Sequence, residues 1–173
     1  MKKVPAIEDT ENGLCLAESH AIMRYLCRKY KLNENWYPAN DPTRMAKIDE
    51  YLDFHHLNTR LIANLIFNTL FASKIGVVDP TFNEEKAKKN AEYALKSVDS
   101  VFLSKGDYII GNEISIADLS AFYEIQFLIL KDYDFSKWKN ISKWMERMTK
   151  IPEINTVNAS FLKMVNRIKQ PKL

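Results

Sequence analysis

Glycine is scarce in this chain, with four residues in all. That argues against a plan of many short strands and tight turns, because glycine supplies the left-handed backbone such turns use. Two cysteines are too few for a disulfide framework or a cysteine metal cluster, so a reducing compartment is the default. Neither sign of charge is in excess: 25 Lys and Arg stand against 22 Asp and Glu. The basic residues of 84–105 and 137–150 are interleaved with acids, as on solvated helix faces, so neither nucleic acid nor an anionic membrane is implied as a partner. No apolar run approaches transmembrane length. Met1-Lys2-Lys3 looks like the start of a secretion signal, but VPAIEDTENG follows where its apolar stretch should be. A cytoplasmic protein is expected.

What is present is apolar mass arranged mostly at helical spacing. Apolar residues make up 46% of the 173-residue chain and charged residues 27%, enough for a sizeable core and unlike a disordered chain. Val4–Ile7 and Leu14–Ala17 read as short strands joined by EDTENG, in which Asn12-Gly13 is a hairpin turn signal. From Ser19 the pattern changes to Ile22, Leu26 and Tyr30, an i, i+4 stripe that ends before Asn33. NENWYPANDP is a linker. Thr43 is expected to cap one long helical stretch through Met45, Ile48, Leu52, Ile62, Ile66 and Leu70, ending near Gly76. A second long helix from Asn83 carries Ala87, Ala91, Ala94, Val98 and Val101 on one face. GDYIIGNEIS is a loop. IADLSAFYEIQFLIL is apolar nearly all round and should form the buried centre of a helical bundle. Two amphipathic helices, marked by Ile141, Trp144, Met148 and then by Ile154, Phe161, Val165, Ile168, close the chain. The expected fold is mainly α: a β-hairpin plus helix, then an all-α domain.

Two features at the start carry possible chemistry. Val4-Pro5 is an X-Pro bond at a strand start; in the cis form it would leave the Val4 amide and carbonyl without ladder partners, open to an extended peptide laid alongside. Glu18-Ser19 stands where the first helix begins. Ser19 can offer a hydroxyl and a backbone N–H to a carboxylate at the positive end of the helix dipole, and Glu18 suits an ammonium. A ligand with an α-amino acid group and a short peptide backbone, such as glutathione, would satisfy both. The competing reading is that Glu-Ser is an N-cap and the Pro an edge marker, with no ligand at all.

Other residues read as structural. Ser115 and Asp118 in SIAD form a capping box with Asp in place of Glu, worth about 1 kcal/mol if lost. His55 and His56 are adjacent on a helix, so their rings should diverge by about 100° and are not expected to share a metal. No metal site is expected. Cys15 and Cys27 read as core thiols and the tryptophans as packing anchors.

KVPAIED, LAESHAIMRYLCRKY, WYPAND, KIDEYLDFHHLNTRL and YIIGNEISIADLSAFYE, in that order, resemble the theta class of glutathione S-transferases. The likeness runs from Lys3 to about Tyr123 and weakens through WKNISKWMERMTKIPEI. It implies a partial thioredoxin-like unit over 1–33, a linker over 34–42 and the family's all-α C-terminal domain over 43–173. It also implies glutathione as co-substrate, a small electrophile as second substrate, and a homodimer. By motif, Val4 and Pro5 would meet the cysteinyl backbone of glutathione, Glu18 and Ser19 its γ-glutamyl end, and Lys3 its glycyl side. Arg60, in LNTR, would border the site with an electrostatic role, or serve only as a surface or helix-pairing arginine.

The sequence also departs from the family. The catalytic hydroxyl or thiol belongs to the first strand–helix–strand unit, and this sequence starts at what would be the third strand. No catalytic residue is therefore assigned. Three accounts stand: a truncated form of a complete transferase, a non-catalytic subunit of a larger assembly, or a module that binds glutathione or an apolar ligand without turnover. Little or no conjugation is expected from residues 1–173 alone.

Overall fold

The computed structural model describes residues 4–169. It begins with an antiparallel pair, β1 (Ala6–Asp9) and β2 (Leu14–Ala17), in the register Ala6↔Ala17 to Asp9↔Leu14. The turn forms as its residues dictate. Gly13 adopts φ +72°, its N–H and that of Asn12 donate to the Asp9 carbonyl, and the Asn12 side chain accepts from Leu14 N. The first strand starts two residues later than Val4, because pairing is counted back from this turn. Val4 and Pro5 therefore precede the ladder.

Helix α1 (Ser19–Lys29) follows the hairpin directly. Helix α2 (Pro42–Leu57) is capped by Asp41, whose side chain accepts from Arg44 N at 2.9 Å. The cap is therefore Asp41 rather than Thr43, with Pro42 at the first helical position, where its missing N–H is not needed. The long helix expected from Met45 to Leu70 is two helices. It breaks at Asn58, which turns out of helical geometry while its side-chain amide donates to the Phe54 carbonyl. Helix α3 (Arg60–Leu70) resumes behind the fully buried Thr59. A 3-10 turn and Gly76, at φ +71°, end that stretch.

Helix α4 (Glu84–Ser97), capped by Asn83, runs into a wider π turn over Val98–Phe102. Helix α5 (Ile116–Ile125) continues as a 3-10 segment to Lys131. Helices α6 (Lys139–Thr149) and α7 (Pro152–Lys169) complete the described chain. None of the described helices is long and apolar enough to cross a membrane.

The core centres on α5, which buries Ile116, Ala117, Ala121, Phe122 and Ile125 against α2, α3 and α6. A side chain such as Phe122, 1% exposed, contributes about 1.5–3 kcal/mol by leaving water. The SIAD capping box is present and does more than cap. Asp118 accepts from Ser115 N and Oγ, from Ile109 N in the preceding loop, and from Trp144 Nε1 on α6. Burial pushes its carboxyl up to about 6, against the pull of these four donors, so it remains an acceptor-only carboxylate at neutral pH. The linker is tied to the same region: Ile116 N donates to the Trp36 carbonyl, and Arg44 donates to the carbonyls of Asn35, Ile110 and Glu113. Cys27 is buried as expected, but Cys15 is exposed. It sits on a two-stranded ribbon, with no further described strand to cover it.

Candidate functional site

The hairpin, the start of α1, the end of α2, the start of α3 and the middle of α5 enclose a cleft of about 490 Å³. Its walls bring together Val4, Pro5, Glu18, Ser19 and Arg60, along with His55, His56, Ser120, Tyr123 and Glu124. Every residue singled out from the sequence as a possible ligand contact lines this one space, except Lys3, which lies outside the described residues.

The local geometry explains what each can do. The Val4-Pro5 bond is cis. Val4 is 92% exposed, and its amide and carbonyl enter no backbone hydrogen bond among the described residues. At the helix mouth, Glu18 occupies the N-cap position but its side chain makes no capping bond. It is held at φ 72°, a conformation that costs a non-glycine residue on the order of 1–3 kcal/mol. A plain N-cap would be Ser or Asp in extended geometry with its oxygen on the helix N–H groups, so the capping account of Glu18-Ser19 does not describe this turn. Ser19 is the first helical residue, half-buried, with its N–H among those a helix leaves free. The strained turn thus places Glu18, whose carboxylate makes no capping bond, and Ser19 side by side on the cleft wall.

Arg60 pairs with Glu124 of α5 while remaining 59% exposed along its side chain. It links α3 to α5 through this pair and also lines the cleft. Burial raises the Glu124 carboxyl and the Arg60 guanidinium opposes that shift. A second, more apolar cleft adjoins the first across Arg60, walled by Ala63, Ile66, Phe67, Phe71, Phe127 and Met164.

The histidines form a cluster that sequence spacing does not reveal. His55 and His56 both reach the cleft, where they meet His20, the residue after Ser19. Ring centroids lie 4.8 Å apart for His20–His55 and 4.6 Å for His20–His56. Burial is the main cause that lowers His20 to about 4 and His55 to about 3, with the neighbouring imidazoles adding to it. Both rings are neutral at physiological pH. Spacing along α2 links only His55 and His56; His20 joins them from another helix.

A family model described as "Glutathione S-transferase, C-terminal domain" matches residues 61–152, and one described as "Glutathione S-transferase, N-terminal domain" matches residues 1–28. The chain belongs to the glutathione S-transferase family. Its curated relatives include glutathione S-transferase theta-1 of Gallus gallus, 34% identical over 151 residues, which cover 86% of this chain and 57% of that protein. Another is theta-2 of Rattus norvegicus, 33% identical, with 86% of this chain and 60% of that protein covered. The chain therefore spans about three-fifths of the length of these relatives. Among solved structures, human glutathione-S-transferase T1-1 in its apo form superposes with a TM-score of 0.81 at 26% identity, covering 98% of this chain and 71% of that one. A human theta-class transferase in complex with the glutathione conjugate of 1-menaphthyl sulfate gives 0.78 at 25% identity, covering 98% and 71%. The theta-class resemblance and the mainly helical fold both hold. The hairpin and α1 fall where the N-terminal family model matches, and α3 to α6 where the C-terminal one does.

Proposed function

We propose that this chain binds glutathione in the cleft between its hairpin–α1 unit and its helical domain, as part of a theta-like glutathione transferase acting on small electrophiles. The observation that carries this reading is the convergence of Val4-Pro5 and Glu18-Ser19 on one space. A backbone at Val4-Pro5 that is unpaired among the described residues and an acid–hydroxyl pair at a helix N-terminus together match a γ-glutamyl peptide. The Ser19 hydroxyl and N–H receive the ligand's α-carboxylate, aided by the helix dipole. Glu18 receives its ammonium, and Val4 takes the cysteinyl backbone as an added strand would. Arg60 adds positive potential at the rim, and the apolar cleft beyond it suits the electrophile. A cytosolic location, a division into 1–33 and 43–173, and a homodimer accord with this reading.

Conjugation additionally needs a group that holds the glutathione sulfur as a thiolate. No Ser, Tyr or Cys of residues 1–173 matches the family's catalytic motif. This polypeptide alone is therefore proposed to bind glutathione with little or no turnover. The same property suits a non-catalytic role within a larger assembly, the second reading.

Calorimetric titration of residues 1–173 with glutathione tests the first claim. Removing a hydrogen bond to a charged ligand group costs about 1.5–3 kcal/mol, so Ser19→Ala should bind roughly ten- to a hundredfold more weakly. Equal affinity of the wild-type chain and this variant would refute the site. Conjugation of a chromogenic aryl halide well above the Ser19→Ala background would refute the proposed lack of turnover. Co-purification at fixed stoichiometry with a large complex would favour the assembly reading.

A further inference from the structure

All three histidines of the chain converge on one point. His20 comes from the first turn of α1, and His55 and His56 from the last turn of α2. One ring nitrogen of each lies within 4.8 Å of the other two. Among the described residues, His20 Nδ1 and both ring nitrogens of His55 are buried without a hydrogen-bond partner, although His20 and His55 are only 3% and 4% exposed. Leaving such groups unpaired costs about 1–3 kcal/mol each, and edge contacts between the rings do not satisfy their nitrogens. Beside the trio stands Glu124, with Oε1 3.9 Å from His55 Nε2 and Oε2 buried and unpartnered.

The geometry points to a site for a divalent transition metal of the zinc class, held by the imidazoles of His20, His55 and His56 with the Glu124 carboxylate beside it. Three nitrogens and one oxygen or water form an ordinary tetrahedral zinc set. Bonds of about 2.0–2.1 Å place ligand nitrogens roughly 3.4 Å apart, so the trio, with nitrogens within 4.8 Å of one another, closes inward on taking up the ion. The His20 ring also has the support that metal-bound imidazoles commonly show. Its Nε2 lies 2.7 Å from Ser120 Oγ, and a proton donated there leaves the Nδ1 lone pair for the ion. His56 is exposed and lines the cleft, which gives the ion a route in. The His55 and His56 ring centroids lie 5.9 Å apart, and that of His20, from a different helix, stands within 4.8 Å of each.

The test uses the tag-free full chain, stripped with a chelator and kept free of glutathione, so that its outcome is independent of the transferase reading. Zn²⁺ is titrated calorimetrically and Co²⁺ by visible absorption. The expected result is one equivalent bound, with the intense visible bands of tetrahedral cobalt. His56→Ala, at an exposed position, should retain the helical circular dichroism and bind at least about tenfold more weakly. His20→Gln should do the same, and if it fails to fold, His56→Ala decides alone. In the zinc form all three imidazole ¹⁵N signals should shift. Absence of one-to-one uptake, or uptake at wild-type strength in His56→Ala, overturns the site.

Discussion

Replacing Asp118 with alanine removes the acceptor for four donors at once, and the cost should far exceed that of a lost helix cap. Ser115 N and Oγ lie at the helix end, but Ile109 N and Trp144 Nε1 reach Asp118 from a loop and from another helix, at 2.8 and 3.0 Å. Asp118 is 0% exposed and Trp144 only 1%, so the stranded donors lie out of reach of bulk water. Each stranded buried donor costs about 1–3 kcal/mol and the cap about 1 kcal/mol. Because these effects are not additive, about 3–5 kcal/mol in total is expected. For a chain of this size, each kcal/mol shifts Tm by about 2–4 °C, giving a fall of roughly 6–20 °C. Ser115→Ala is the matched control, losing the cap hydroxyl while leaving the carboxylate on Ile109 and Trp144, at about 1 kcal/mol. Urea unfolding followed by tryptophan fluorescence, with calorimetry for Tm, measures both. If Asp118→Ala costs no more than Ser115→Ala, the carboxylate is only a cap and the hub reasoning fails.

Gly106→Ala should destabilise by about 1–3 kcal/mol, because a Cβ there would lie 2.2 Å from the Gly111 carbonyl oxygen; chemical denaturation checks this, and a neutral result would show that the loop yields. Asp9 is held down to about 2 by Lys29 and Tyr25. The unfolded chain therefore takes up this proton first as pH falls from about 3.8, and the stability that Asp9 contributes, complete above that range, is lost toward pH 2. Asp9→Asn should flatten this part of the acid-unfolding curve, and an unchanged curve would remove Asp9 from the hairpin's support. Arg60→Met should lower stability by about 1–2 kcal/mol by leaving Glu124 without its cation. The further change Glu124→Gln should recover most of that loss in thermal melts, and no recovery would show that Arg60 acts through other contacts.

Much of this architecture is visible in the residues themselves. Asn12-Gly13 marks the hairpin turn because Gly13 accepts the positive φ it requires and the Asn12 side chain accepts from Leu14 N, and SIAD marks the start of α5. The nearly unbroken apolar character of α5 announces the bundle's centre. The break at Asn58–Thr59 is hidden because Ile62, Ile66 and Leu70 continue the apolar rhythm of α2 after a local turn that costs no change of period. Cys15 reads as a core residue because alternation in a strand does not say which face, if either, is covered. The site divides in the same way. Val4-Pro5 and Glu18-Ser19 are legible as chemical types, and their meeting requires the chain to fold back on itself. Nothing in the spacing links His20 to His55 and His56, because 35 residues separate it from the first of them. The one available signal is that a chain with only three histidines places two together and the third beside the candidate ligand serine.

The central claim is that the Pro turn and the helix mouth grip one tripeptide thiol. A ¹H–¹⁵N correlation titration of isotopically labelled chain with glutathione tests it directly. Saturable shifts at Val4, Ala17, Glu18, Ser19 and Arg60, with α6 and the far end of α7 unmoved, are the predicted result. Shifts confined to other surfaces, or none at millimolar glutathione, would contradict the account.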